Sequence, residues 1–188
     1  PPIIDPPDPT NLVQADALDL YLQNYARGWS NIAKQIQIRL SALSLLGPVH
    51  RFIKWERSNP ESREWLEQFS AVRADGRQGV NAWIINGSTS PASKISLEDS
   101  FRWTRRTTVE LHGVLEIEDP ITWHLWHSML RQIDDDLRNG DRTFATTCLT
   151  HTLPEQTSSN VASFCGVDCH SCILNFVVEE AGIFPTTP

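Results

Sequence analysis

The chain reads as an α+β protein: a mainly antiparallel sheet with one long helix packed across it, and helices toward the N-terminus. Three observations predict this. "RRTTVELHGVLEIED" (105–119) alternates apolar and polar residues at the period of a half-buried strand. It passes directly into Asp119-Pro120, a helix-start pair, and then into an apolar stripe at helical spacing. Along the whole chain the order is helix, helix, three strands, helix, two strands, which suits a sheet with helices laid against it.

Residues 1–9 hold five prolines and no periodic pattern, so they read as an extended arm. A single domain is expected over 10–183, followed by a short tail at 184–188. Thr10 is placed to cap a helix through about Arg27, with Leu12, Leu18, Tyr21, Leu22 and Tyr25 on its apolar side. Ser30 is placed to cap a second helix that Gly47-Pro48 ends. Ile32, Ile36, Leu40 and Leu43 form its core stripe, while Ile38 and Leu45, seven residues apart, form a second seam. A helix apolar on two sides must be covered twice, once by its own domain and once by something else.

"PVHRFIKWERS" (48–58) predicts a strand with Val49, Ile53 and Trp55 on one face, and "NPESREWLEQFS" (59–70) a short helix with Pro60 in its first turn. "RADGRQG" (73–79) is a turn, "VNAWIIN" (80–86) a strand apolar on both faces, and "GSTSPASKISLEDS" (87–100) a long polar loop. In 105–119, Val109, Leu111, Leu115 and Ile117 point inward; Val114 breaks the polar side, and Gly113 marks a bulge or bend. The helix after Asp119 carries Ile121, Leu125, Trp126, Met129, Leu130, Ile133 and Leu137 as its stripe and stops at Asn139-Gly140. Extended segments are expected at "RTFATTCLTHT" (142–152) and within 164–180.

The totals exclude several classes. With 188 residues, 40% hydrophobic and 21% charged, the chain has the composition of a globular protein with a real core. A net charge of −7 and no basic run argue against binding nucleic acid by phosphate neutralisation. No apolar stretch approaches bilayer length, and "PPIIDPPDPT" does not read as a signal peptide. Four cysteines are too few for a disulfide-built fold, so free thiols in a reducing compartment are expected.

The densest candidate for chemistry is "FCGVDCHSCILNFVVEE" (164–180), where Cys165, Cys169, His170 and Cys172 are spaced C-x3-C-H-x-C. Structural zinc favours two well-separated C-x2-C or H-x3-5-H pairs, and Cys148 with His151 is a poor second pair. In extended backbone Cys172, Leu174, Phe176 and Val178 share a face and Cys169 points the other way. Three residues along a strand span about 10 Å, too far for a disulfide and awkward for one metal. The cysteines therefore read as small buried hydrophobes at the start of a strand, with a small Cys/His metalloprotein, or a redox or haem role for a spacing one residue off C-x-x-C-H, as the alternatives.

His124 and His127, three apart, fall on the polar face of their helix with Arg131, Asp134, Asp135 and Arg138. Arg131 opposes a cation there, so this face reads as solvated or subunit-facing. No G-x-S-x-G elbow, P-loop or G-x-G-x-x-G occurs, and the carboxylate runs "EIED" and "DDD" do not build an acid–base pair. No catalytic set emerges and no cofactor is expected. Seven tryptophans are many for this length, and some are expected at subunit contacts.

In this order of elements, the helix ending at "LLGP", "VHRFIKW", "VNAWIIN" with its long loop, "RTTVELHGVLEIED" leading into "PITWHLWHSMLRQIDDDLRNG", and the closing "CHSCILNFVVEE", the chain resembles the tail terminator (tail-completion) proteins of tailed bacteriophages and related phage-derived particles. The resemblance spans about 31–180; residues 1–30, the insertion near 57–79 and the thiol cluster lie outside it. It implies a structural virion protein assembled in the host cytoplasm. Six copies would form a ring that caps the tail tube, stops polymerisation of the tube protein and offers a face to the head-side connector. Genomic DNA would pass through its acidic lumen without specific binding. By family position the ring contacts would involve the helix 120–138 and the loops at 71–79 and 87–100. Together with the two-sided helix and the polar helix face, this nominates Ile38, Leu45, His124, His127, Arg131 and Asp135 as interface residues. Rival readings are another neck, head–tail joining or tube-like subunit, the metalloprotein, and a host-side interaction domain.

Overall fold

A computed structural model of the chain describes residues 28–51, 69–91, 93–94, 102–145, 147–164 and 166–183. The arm at 1–9, the helix expected over 10–27, all of 52–68, which holds most of the strand expected over 48–58 and of the helix expected over 59–70, Cys165 and the tail at 184–188 lie outside the described residues. Within them the protein is α+β. Helices α1 (Trp29–Ser41) and α2 (Pro120–Asn139) accompany strands β1 (Val49–His50), β2 (Ser70–Val72), β3 (Gln78–Thr89), β4 (Ser93–Lys94), β5 (Arg102–Glu116), β6 (Thr150–His151), β7 (Glu155–Phe164) and β8 (Val167–Ile183). The sheet runs β1-β3-β5-β8-β6; β2 also pairs with β3, β4 with β5, and β7 with β8. Every pairing is antiparallel except β1 with β3.

The β5–β8 ladder is the spine, continuous from Arg102↔Ile183 to Glu116↔Cys169. One face of it carries Val109, Leu111, Leu115, Cys172, Leu174, Phe176 and Val178, joined by Trp83 and Ile85 of β3. Ile32, Ile36 and Leu40 of α1 and Trp126, Met129, Ile133 and Leu137 of α2 cover that face. These positions recur every three or four residues, so each helix turns one stripe onto the sheet. On the opposite face a smaller core gathers Val80, Ala82, Ile84, Val114 and Cys169 beneath Phe69 and Phe164. The Val114 exception in the alternating pattern is thereby explained: one end of the outer face is apolar and covered.

Four expectations are corrected. The helix containing Ile32 starts at Trp29 behind Gly28, with no side-chain cap from Ser30, and stops at Ser41, short of Gly47. Gly28 holds φ 104, a conformation glycine takes at little cost, and a Cβ there would sit 3.1 Å from a Glu180 carboxylate oxygen. Gly113 is not a bulge, since the register runs unbroken through Trp83↔Gly113 and Gly113↔Cys172. Its hydrogen instead makes room for the Trp83 indole, because an added Cβ would fall 2.6 Å from Cη2 of that ring. The polar stretch 87–100 is partly sheet: β3 continues to Thr89 and β4 pairs with β5. The 142–152 stretch is mostly turn, with Phe144 and Ala145 at φ 45 and 55.

Asp119 caps α2 as expected, its Oδ1 accepting from the amides of Ile121 and Thr122 with Pro120 in the first turn. Among the described residues no helix is long and apolar enough to cross a membrane.

Candidate functional site

The cysteine strand came out with its side chains divided. Cys172 lies in the core under the helices and Cys169 in the smaller core on the other face. Desolvation pushes the Cys172 thiol up to about 12, and burial raises Cys148 to about 11; both are free thiols. His170, between them in sequence, stacks on Trp126 at 5.9 Å, and Trp126 stacks on Trp83 at 5.6 Å. Burial lowers the His170 pKa, with nearby His127 adding to the shift. Cys148 and His151, a poor second pair by spacing, each contact a backbone carbonyl. Cys148 donates to the Arg142 carbonyl, and His151 Nδ1 meets the Thr152 carbonyl at 2.7 Å. Among the described residues no three His, Cys, Asp or Glu side chains converge on one point that could hold a metal ion.

The residues nominated for an interface fall in three places. His124, His127, Arg131 and Asp135 are all exposed on α2. Trp123, itself 52% exposed, packs its indole 4.1 Å from the His127 ring and 5.2 Å from His124. Ile121, expected in the core stripe, is 56% exposed beside it, because Thr122 takes the buried position in the first turn of α2. Ile38 stands exposed on α1. Leu45 does not share its face: α1 has already ended, and Leu45 packs against the main core while its amide donates to Gln132 Oε1 at 3.1 Å.

An ionic clamp fixes the N-terminal end of α2. The β2–β3 turn carries Arg73, whose side chain is fully buried, and Arg77, which is half-exposed. Arg73 reaches Glu118 at 2.6 Å and Asp75 at 3.2 Å, and Arg77 reaches Asp119 at 2.6 Å and Glu118 at 3.2 Å. Asp119 therefore caps the helix with one oxygen and holds the turn with the other. Hydrogen bonds from Arg73 and Arg77 keep Glu118 below the usual carboxylate range, and the bond from Arg77 does the same for Asp119. Sequence reasoning read "RADGRQG" as a turn but did not pair it with "EIED"; the alternation of sign between the two segments was the available signal.

At the other end of α2 a second feature went unread. Gly140 leaves room for Arg39, which bonds the Asp136 and Asp141 carbonyls and meets the Asp136 carboxylate at 2.6 Å. Beyond it the chain makes a tight turn braced by Asp141, whose carboxylate accepts from the Thr143 hydroxyl and amide and the Ala145 amide. Those three bonds hold the Asp141 pKa down to about 2. The turn and α1 enclose an open groove of about 160 Å³ lined by Gln35, Ile38, Arg39, Asp141, Phe144 and Ala145.

No protein-family model matches the chain, and a search of curated proteins finds no match.

Proposed function

We propose that this protein is a structural, non-enzymatic subunit that closes into a ring at the head-proximal end of a phage-type tail tube, a tail terminator. It would end polymerisation of the tube protein, join the tube to the head-side connector, and let DNA pass through an acidic lumen. The order and pattern of the elements support this reading. The observation that carries it is the surface made by the β2–β3 turn and the first turn of α2. Two of the three segments expected at ring contacts are locked together there by Arg73–Glu118 and Arg77–Asp119. Val72, Ile121 and Trp123 stand exposed on those same segments. Exposed apolar side chains carried on a rigid base suit a permanent subunit contact more than a solvated face. The thiols fit a building block too, since Cys148, Cys169 and Cys172 are all buried in packing positions.

The test is solution mass at rising concentration, alone and beside polymerised tube protein from the same particle. A discrete hexamer, or a ring that forms only on tube ends, is the expected result. A protein that stays monomeric in both settings overturns the reading. Near-stoichiometric zinc or iron in the purified protein would move the assignment to a metalloprotein.

A further inference from the structure

We propose that successive copies of this chain join head to tail, the Trp123 indole of one copy seating in the groove of the next between α1 and the 141–145 turn. The inference rests on the ring reading and names its contact.

Three observations carry it. The first is shape. Trp123 stands on a clamped helix end and is held by the rings of His127 at 4.1 Å and His124 at 5.2 Å, so little freedom remains to be lost on docking. The groove, at about 160 Å³, is the size of cavity that takes one aromatic ring. Its apolar wall is Ile38, Phe144 and Ala145. Ile38 is 53% exposed at the rim, and the Arg39 guanidinium lies 5.4 Å from the Phe144 ring centroid at the back.

The second is charge. Asp141 is an ionised carboxylate at the groove, and its three hydrogen bonds come from its own turn. Its negative charge faces the groove and complements hydrogen-bond donors on an incoming surface. The knob offers donors: the indole N–H, the imidazoles beside it, and Arg131 farther along α2.

The third is placement. Trp123 lies in the first turn of α2 and Asp141 lies just past its end, so the 20-residue helix, about 30 Å long, separates them. Knob and groove of one copy therefore cannot meet each other. A contact between two different patches of identical chains is heterologous, and it yields a ring when the rotation closes. Of the residues nominated from the sequence, Ile38 lines the groove and His124 and His127 flank the knob; Trp123 and Asp141 were not nominated, and the fold places them at opposite ends of α2.

The test uses two full-length variants, Trp123→Glu, which removes the knob, and Ile38→Glu, which charges the groove rim. Both positions are more than half exposed, so far-UV circular dichroism and melting temperature should match the unaltered chain. In sedimentation velocity each variant alone should associate at least tenfold more weakly than the unaltered protein. Mixed, they should form a one-to-one dimer and nothing larger, because the Ile38→Glu copy keeps its knob and the Trp123→Glu copy keeps its groove. If the unaltered protein assembles and the variants assemble equally well, the knob-and-groove contact is wrong while the ring reading stands. Two monomeric variants that fail to dimerise on mixing also overturn the contact, since the patches would not then be partners. An unaltered chain that never associates, even on tube ends, overturns both.

Discussion

Replacing Gly113 by alanine tests whether the tryptophan stack or the backbone dictates glycine in the middle of β5. Gly113 sits directly opposite Trp83, whose side chain is fully buried and stacked 5.6 Å from Trp126. A Cβ at position 113 would lie 2.6 Å from Cη2 of Trp83. Carbon–carbon contacts are comfortable at about 3.5–4.0 Å, so the indole must retreat by roughly 1 Å. Behind it stand Trp126 and then His170, stacked at 5.9 Å, so the ring has no free space to enter. Overpacking of this kind costs about 1–3 kcal/mol, and alanine regains about 0.5–1 kcal/mol over glycine within a strand. A net loss of about 1–2 kcal/mol follows, or roughly 2–4 °C in melting temperature per kcal/mol for a chain of this size. Urea unfolding followed by far-UV circular dichroism reads it directly. The decisive comparison repeats Gly113→Ala in a Trp83→Leu background. With the indole gone, alanine should be neutral or stabilising, giving a coupling of about 1–3 kcal/mol between the two sites. Equal cost in both backgrounds would refute the steric account and return the explanation to backbone conformation.

Two further outcomes follow from buried titratable groups. His151 is 2% exposed, stacks on Phe144 at 4.7 Å, and among the described residues its buried Nε2 has no hydrogen-bond partner, so desolvation lowers its pKa. Arg39 and Arg142 add to that lowering; the Thr152 carbonyl and Asp141 oppose it. A histidine whose folded pKa is depressed contributes stability that is full above its unfolded value, about 6.5, and is lost as pH falls below it. The urea midpoint should therefore drop between pH 7.5 and pH 5, and His151→Phe should drop less; an equal loss in both proteins would contradict the assignment. Cys172, raised to about 12, should resist iodoacetamide at pH 8 in the folded protein and react at once in urea, as read by mass spectrometry of the labelled peptide. Labelling of native Cys172 at the unfolded rate would mean that the strand is not packed under the helices.

Much of the architecture was legible because it is local. Alternation at period two in 105–119 set the inward row Val109, Leu111 and Leu115. Asp119-Pro120 set the start of α2, and the spacing of Ile32, Ile36 and Leu40 set the buried side of α1. The same reasoning sent Cys169 and Cys172 to opposite faces of one strand, where the structure has them. Strand β7, "EQTSSNVASF", was not legible. As the outer partner of β8 it is exposed along nearly its whole length, so no buried face imposed a hydrophobic pattern on it.

What the sequence determined by itself was the inward row of β5, the buried stripes of α1 and most of α2, and the start of α2 at Asp119-Pro120, because periodicity and capping chemistry act over a few positions. Only the tertiary structure decided the contacts between distant segments. It moved Gly113 from a supposed bend to a seat for Trp83, detached Leu45 from the face of Ile38, and brought Arg73 and Arg77 onto Glu118 and Asp119, 41 to 45 residues away for the pairs that share Glu118. Such meetings depend on register and on the paths of the intervening strands, and no local pattern of residues encodes them.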